Sequence, residues 1–383
     1  MHKGRIMVVA GETSGDMHAA RIVRELKNRV PGLEFFGMGS TRMAGEGVEI
    51  LIDPLEFSTI GFADAIPNLR SHLNHLKILK RRMKLKQPDA ALLVDYSGFN
   101  MMMARTAAKM GVPVVNCFPP SAWIWGKWRA KWMARYNAVI AAVLPQERDV
   151  YRQAGAEVKF VGHPLLDIAA VDKNKKEIHE FLELEEDRMV VGLLPGSRNK
   201  EIERLLDPML SAAVSLSREF PELQFVLPLA EGVDGRAVRE QVAGYSLIVK
   251  IVEGLSYEVM EIADLLVTAS GTATLEAAIR ETPMVVVYKT GDFTYKLANF
   301  LVNSDYIALP SIIAGKQVVP ELLQDEVTSH NIYEEVSKLL RRPYLINDMS
   351  KSLGKIKRQL GKPGAAGKIA DLVLEKGEIV HGE

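Results

Sequence analysis

Four short segments carry residue types and spacings that could do chemistry. In "VDYSGFN" (Val94 to Asn100), Asp95 ends an otherwise apolar run. A carboxylate at such an edge either caps the following helix or faces a cleft as a general base. In "VVAGETSGD" (Val8 to Asp16), the apolar run "RIMVVA" meets a turn of Gly11, Glu12, Thr13, Ser14, Gly15 and Asp16, after which "MHAARIVRELKNRV" has helical spacing. A strand, a glycine turn and a helix often hold a nucleotide phosphate. This turn, however, matches neither G-x-G-x-x-G nor G-x-x-x-x-G-K-[ST], and its two carboxylates would repel a phosphate. It suits a hydroxyl-bearing acceptor better. The other two segments have the opposite character. "LLPGSRNKEI" (Leu193 to Ile202) offers backbone N–H groups and the Arg198 guanidinium to an oxyanion. "TASGTATLEAA" (Thr268 to Ala278) places Ser270, Gly271, Thr272 and Thr274 at a helix start, with Glu276 one turn inside. A helix amino terminus of that kind can hold a diphosphate while the carboxylate accepts hydrogen bonds from ribose hydroxyls.

The elements that must position these residues follow from the apolar pattern. Strands are predicted at "RIMVVA", "LEFFGMG", "AALLVDY", "VPVVNCF", "NAVIAAVL" and "VKFVG". A fresh series comprises "MVVGLLPGS", "QFVLPL", "LIVKIVE", "DLLVTAS" and "PMVVVY", and helical segments fill the gaps in both. Two successive α/β units with parallel sheets are expected, with a boundary near Gly162 to Asp172. In such sheets ligands collect at the carboxyl ends of the strands, which is where all four segments lie. The Gly-rich "LGKPGAAGKIA" misses the P-loop spacing and reads as a break between terminal helices.

Composition bounds the function classes. With 383 residues, 48% hydrophobic and 25% charged, the chain is long enough for two domains of ordinary globular character. One cysteine, Cys117, excludes an internal disulfide framework, and no apolar run is long enough to cross a bilayer. "MHKGRIMVVA" lacks the pattern of a signal peptide, so a cytosolic location is expected. The formal net charge of zero hides an asymmetry: from Ala65 to Gln146 there are 13 Lys and Arg against Asp89 and Asp95, leaving +11 there and −11 elsewhere. Within this section Ile66, Leu69, Leu73, Leu76, Leu79 and Met83 recur at steps of three and four among seven cations, as in a basic amphipathic helix. All four tryptophans fall in "WIWGKWRAKW" (Trp123 to Trp132), interleaved with Lys127, Arg129 and Lys131. Trp with Lys and Arg suits an anionic membrane surface, with Trp128 and Trp132 among the contacts, rather than nucleic acid.

"AGETSGDMHAA", "VDYSGFN", "PPSAWIW", "FVGHPLLD", "LLPGSRNKEI", "ASGTATLEAA" and "AGKQVVPELLQDE" occur in an order that resembles the lipid-A-disaccharide synthase family, over nearly the whole chain. The resemblance implies a GT-B glycosyltransferase: two Rossmann-like domains with parallel sheets facing across a cleft. It implies an acceptor and membrane-facing domain over 1–165, a UDP-sugar domain over 166–345, and helices of 346–383 crossing back to the first domain. It further implies inverting transfer from UDP-2,3-diacylglucosamine to 2,3-diacylglucosamine 1-phosphate (lipid X), giving the disaccharide 1-phosphate and UDP at the inner face of the cytoplasmic membrane. On this resemblance Asp95 is the base, and Ser14, Gly15, Asp16 and Asn100 lie on the acceptor side. Arg198, Ser270, Gly271, Thr272, Thr274, Glu276 and Gln324 hold UDP. No cofactor is implied. The absence of an Asp-x-Asp motif points away from a bridging metal, because Arg198 and the helix start can meet the diphosphate charge.

The chain departs from the family pattern at Ser97 and Gly98, where a proline and often an acid stand, and at Ser311, where asparagine is common. Other readings stay open from the residues alone. A UDP-sugar epimerase could share the architecture, a non-catalytic basic protein could use the +11 section for membrane binding, and a homodimer is left open.

Overall fold

The computed structural model describes residues 4–54, 68–123, 126–136, 138–169, 171, 173–291 and 305–379. The chain divides into two compact units, Met1–Asp167 with Leu360–Glu383, and Ile168–Gln359.

The first unit is built on a seven-stranded parallel sheet: β1 (Arg5–Ala10), β2 (Glu34–Met38), β3 (Glu49–Ile52), β4 (Ala90–Val94), β5 (Val114–Cys117), β6 (Ala138–Ala142) and β7 (Val158–Phe160). The strand order is β3-β2-β1-β4-β5-β6-β7. Its central strands are runs such as "AALLV" and "AVIAA" with every residue buried, the pattern of strands covered on both faces. On one face Met7, Val9, Leu93, Val114 and Ile140 pack with Phe99 and Met103 of the helix Ser97–Ala108, and with Leu79 and Met83 of the helix Asn68–Lys86. Against β4, β5 and the helix Thr13–Arg29 lies the helix Ala365–Lys376. Asp167 caps this last helix, accepting from the N–H groups of Gly364 at 2.7 Å and Ala365 at 3.2 Å.

The second unit carries a six-stranded parallel sheet: β8 (Val190–Leu194), β9 (Gln224–Leu229), β10 (Val249–Glu253), β11 (Leu265–Ala269), β12 (Met284–Tyr288) and β13 (Glu321–Leu323), ordered β10-β9-β8-β11-β12-β13. In both sheets the strand order reverses beside the first strand of the unit, which is where loops from neighbouring strands part and leave room for a ligand.

One expectation changes. The sequence suggests that all of 346–383 crosses to the first domain, but the helix Pro343–Gln359 belongs to the second unit. It buries Met349, Leu353 and Ile356 there, Ser350 Oγ donates to the Glu281 carbonyl at 2.7 Å, and Lys357 bonds Glu281 at 3.1 Å. Gly354 permits the close approach: a Cβ on it would lie 2.9 Å from Glu281 Oε2. Of these two helices, Ala365–Lys376, within Leu360–Glu383, joins the first unit.

Candidate active site

At the carboxyl end of β4, Val94 is buried and Asp95 turns out of the strand with φ +42°, a left-handed conformation that an aspartate tolerates better than most side chains. Its N–H donates to the Cys117 carbonyl at 3.3 Å, tying it to the end of β5. Gly15 brings the helix Thr13–Arg29 onto the strand end, since a Cβ there would sit 3.3 Å from Asp95 Cβ. The helix start delivers Ser14, whose Oγ donates to Asp95 Oδ2 at 2.7 Å. Asp95 is half-buried, and burial raises its proton affinity above the usual carboxylate range, with the Ser14 bond opposing. A carboxylate that is reachable, hydrogen-bonded and more basic than usual is equipped to take a proton. Behind it, buried Glu147 accepts from the Val143 and Leu144 N–H groups at 2.9 and 3.2 Å. Burial pushes Glu147 up to about 7, the two backbone bonds pull it down, and the Asp95 charge adds to the rise.

The other acceptor-side residues divide. Asp16 is buried, and its carboxylate accepts from the N–H groups of Ser40 at 2.7 Å, Arg42 at 3.0 Å and Met43 at 3.3 Å. It therefore holds the start of the helix Thr41–Gly45, a structural use of the second carboxylate in the opening loop. Asn100 is buried in the first turn of Ser97–Ala108, with no hydrogen-bond partner for its side-chain amide among the described residues; Asn116 on β5 is the same.

Sequence reasoning missed a ring cluster at this edge. His18 stacks on Phe118 at 4.6 Å between centroids, and His163 meets the same ring edge-on at 5.8 Å. Burial first, then Arg21, lowers His18 to about 4; burial first, then His18, lowers His163 to about 3. His163 Nδ1 accepts from the Leu165 N–H at 3.2 Å. Both imidazoles lie inside motifs recognised from the sequence, "AGETSGDMHAA" and "FVGHPLLD", which was the available signal.

In the second unit, β8 pairs with β11, so the loops that follow these strands lie side by side. Gly196, with φ +122°, clears room for Glu201, whose carboxylate accepts from the Ser197 N–H at 3.2 Å and from Arg198 at 2.7 Å. The Arg198 side chain is 78% exposed. After β11, Ser270 Oγ donates to the Ile307 carbonyl at 3.2 Å, and Gly271 adopts φ +148° as N-cap of the helix Thr272–Ile279, which no side chain caps. Thr272 is exposed, while Thr274 is buried with Oγ1 donating to the Gly271 carbonyl at 2.8 Å. Glu276 accepts from Tyr257 Oη at 3.0 Å, and burial raises its proton affinity against that bond. The loops thus bring Arg198, Ser270, Gly271, Thr272, Thr274 and Glu276 to one edge. Gln324 is committed elsewhere: its amide accepts from the Thr290 N–H at 2.7 Å and donates to the Thr290 carbonyl at 3.0 Å, bracing the loops after β12 and β13.

The proposed membrane contacts also divide. Ile66 and the Leu69 side chain lie outside the described residues. On Asn68–Lys86, Leu76, Leu79 and Met83 pack into the core, so the spacing marks a seam that faces inward as well as outward. Leu73, Ile78 and Leu85 point outward, 43, 47 and 67% exposed. Trp132 packs against the core, its Nε1 donating to the Met101 carbonyl at 3.1 Å, whereas Trp128 is exposed. No helix among the described residues is long and apolar enough to cross a membrane.

Residues 6–361 match the family model of lipid-A-disaccharide synthetase. Lipid-A-disaccharide synthase of Syntrophus aciditrophicus is 37% identical over 375 residues, 98% of each chain. That of Myxococcus xanthus is 39% identical over 371 residues, 97% of each. The chain belongs to the lipid-A-disaccharide synthetase family. As a member it is a glycosyltransferase that forms lipid A disaccharide. Solved structures agree in fold. An S. aureus MnaA structure with UDP aligns with a TM-score of 0.65 over 99% of this chain and 98% of that one at 15% identity. Acinetobacter baumannii MurG aligns at 0.62 over 98 and 100% with 15% identity. At such identity the likeness of this lipid-A-disaccharide synthetase family member to UDP-N-acetylglucosamine 2-epimerases is one of GT-B fold alone.

Proposed function

We propose that this enzyme transfers the glucosaminyl group of UDP-2,3-diacylglucosamine to the 6-hydroxyl of 2,3-diacylglucosamine 1-phosphate with inversion, using Asp95 as the base. The observation that carries this reading is the Asp95 carboxylate at the end of β4, fixed by Ser14 at 2.7 Å and made more basic by burial. The acceptor hydroxyl loses its proton to Asp95 as its oxygen bonds to the anomeric carbon; the bond from that carbon to the UDP oxygen breaks, and the electron pair leaves with UDP. Negative charge then grows on the departing phosphate. The start of Thr272–Ile279, which no side chain of the described residues caps, is suited to meet it without reorganisation, and Arg198 is suited to join it by exchanging Glu201 for the phosphate. Glu276 is suited to the ribose hydroxyls.

The outward face of Asn68–Lys86 supports contact with the anionic inner face of the cytoplasmic membrane. Leu73, Ile78 and Leu85 alternate there with Lys77, Lys80, Arg81 and Lys84, while Arg82 and Lys86 pair with Glu49. Acylated substrates would be drawn from that surface.

The test is incubation with both acylated substrates and mass analysis for the disaccharide 1-phosphate, with the Asp95→Asn variant alongside. A general base contributes roughly 10²–10⁴-fold, so Asp95→Asn is expected to lower kcat by about that factor with UDP affinity retained. Wild-type turnover in the variant removes Asp95 from the mechanism.

A further inference from the structure

Asp95 occupies a left-handed backbone conformation immediately before a helix whose first residue is Ser97. Serine leaves φ free at a position where a proline would fix it, so the turn needs restraint from another source. The next residue supplies it. Tyr96 is the N-cap of Ser97–Ala108, and its ring lies directly over Gly11 of the opening loop: a Cβ on Gly11 would fall 2.0 Å from Tyr96 Cγ. The ring also packs against Phe99 at 5.4 Å between centroids. At its far end, Tyr96 Oη and His72 Nε2 share a 2.7 Å hydrogen bond, and the His72 ring stands edge-on to Tyr96 at 5.6 Å and tilted to Phe99 at 5.8 Å. His72 comes from the basic helix Asn68–Lys86, next to outward-facing Leu73. Burial lowers the proton affinity of His72, which favours the neutral imidazole that a tyrosine hydroxyl can bond.

We propose that Tyr96 is a positioning residue for Asp95, tethered through its hydroxyl to His72, so that the helix carrying His72 sets the geometry of the base. Glycine at 11 is part of the device, since any larger residue would displace the ring. The tether does not touch substrate; it acts by holding the Asp95 carboxylate where it meets the acceptor hydroxyl, and a small misplacement there costs rate rather than affinity.

The inference rests on Asp95 as the base, and Asp95→Asn measured in the same assay separates the two: failure of Asp95→Asn to lose turnover overturns the base, not the tether alone. With disaccharide formation as the readout, Tyr96→Phe and His72→Leu are each expected to lower kcat about threefold to tenfold, as loss of one hydrogen bond would. The KM for the UDP-sugar should be unchanged and the melting temperatures near wild type. Both variants break the same bond, so the double variant should be no slower than the slower single, and His72→Gln, which can still bond the hydroxyl, should recover most of the rate. The proposal is overturned if folded Tyr96→Phe keeps wild-type kcat or if the two losses multiply. Should Tyr96→Phe fail to fold, the His72→Leu and His72→Gln pair decides by the same criterion: equal rates overturn the tether.

Discussion

Single residues with the same charge do different work in this protein, and their hydrogen-bond partners tell them apart. Among the described residues Asp95 has one side-chain donor, Ser14, and remains reachable; Asp16, in the same opening loop as Ser14, spends its carboxylate on three backbone N–H groups. Arg198 and Gln324 divide in the same way within the second unit. Among the described residues Arg198 is tied only to Glu201 three residues on, an exposed pair that contributes little and is easily exchanged for a phosphate. Gln324 is bonded twice to Thr290. Calorimetry with UDP is therefore expected to show weaker binding for Arg198→Ala and for Glu276→Ala. Each charge-assisted bond is worth roughly 1.5–3 kcal/mol, or about 10- to 150-fold in Kd. Gln324→Ala should reveal itself first as a lower melting temperature. Unchanged UDP affinity for both Arg198→Ala and Glu276→Ala would place the nucleotide elsewhere.

At the scale of elements, eleven of the thirteen strands could be read from the sequence, because parallel strands buried on both faces are continuous apolar runs, whereas the short edge strands β3 and β13, largely half-buried, carry no such run and are not predicted. The four strand-end loops were legible for a related reason: polar and glycine residues interrupt those runs abruptly. What could not be read was the destination of each side chain. The roles of Asp16 and Gln324 depend on backbone groups 24 to 34 positions away. The helix Asn68–Lys86 shows a further limit. Periodicity identifies an apolar stripe, but Leu76, Leu79 and Met83 of that stripe serve the core while Leu73 of the same stripe, and Ile78 and Leu85 off it, stay outside. The membrane reading is thus tested by Leu73→Ser, Ile78→Ser and Leu85→Ser together. This triple variant should melt like the native protein and lose co-sedimentation with anionic vesicles. Raising salt should release the native protein only in part, since it screens the roughly 1 kcal/mol per cation and leaves the apolar term. A native protein that stays in the supernatant with anionic vesicles at low salt overturns membrane contact. Leu79→Ser, by contrast, opens the core and should unfold the first unit.

For the molecule as a whole, the two units divide the chemistry. The loops proposed to bind diphosphate belong to the second, whereas Asp95 and the buried Glu147, His18 and His163 belong to the first, so the largest shifts in proton affinity described above lie in the first. His18 and His163, lowered from 6.5 to about 4 and about 3, bind fewer protons folded than unfolded. The stability they contribute is present above pH 6.5 and is lost as pH falls through those values. Glu147 has the opposite sign. Raised from 4.5 to about 7, it binds more protons folded than unfolded, so its contribution is full below pH 4.5 and is lost as pH rises through about 7, a swing of about 3 kcal/mol. Taken together, these groups predict that stability climbs with pH up to about 6.5, with Glu147 opposing the two histidines from about pH 4.5, slips between about pH 6.5 and 7, and is level above. Glu147→Gln isolates the opposing contribution, because an amide oxygen can still accept from the Val143 and Leu144 N–H groups yet cannot ionise. Thermal melts of the full chain from about pH 4 to 8 should show the variant climbing more steeply than the native protein between about pH 4.5 and 6.5 and losing the slip that follows. If Glu147→Gln climbs no more steeply than the native protein over that range, Glu147 is not the group being ionised against its surroundings.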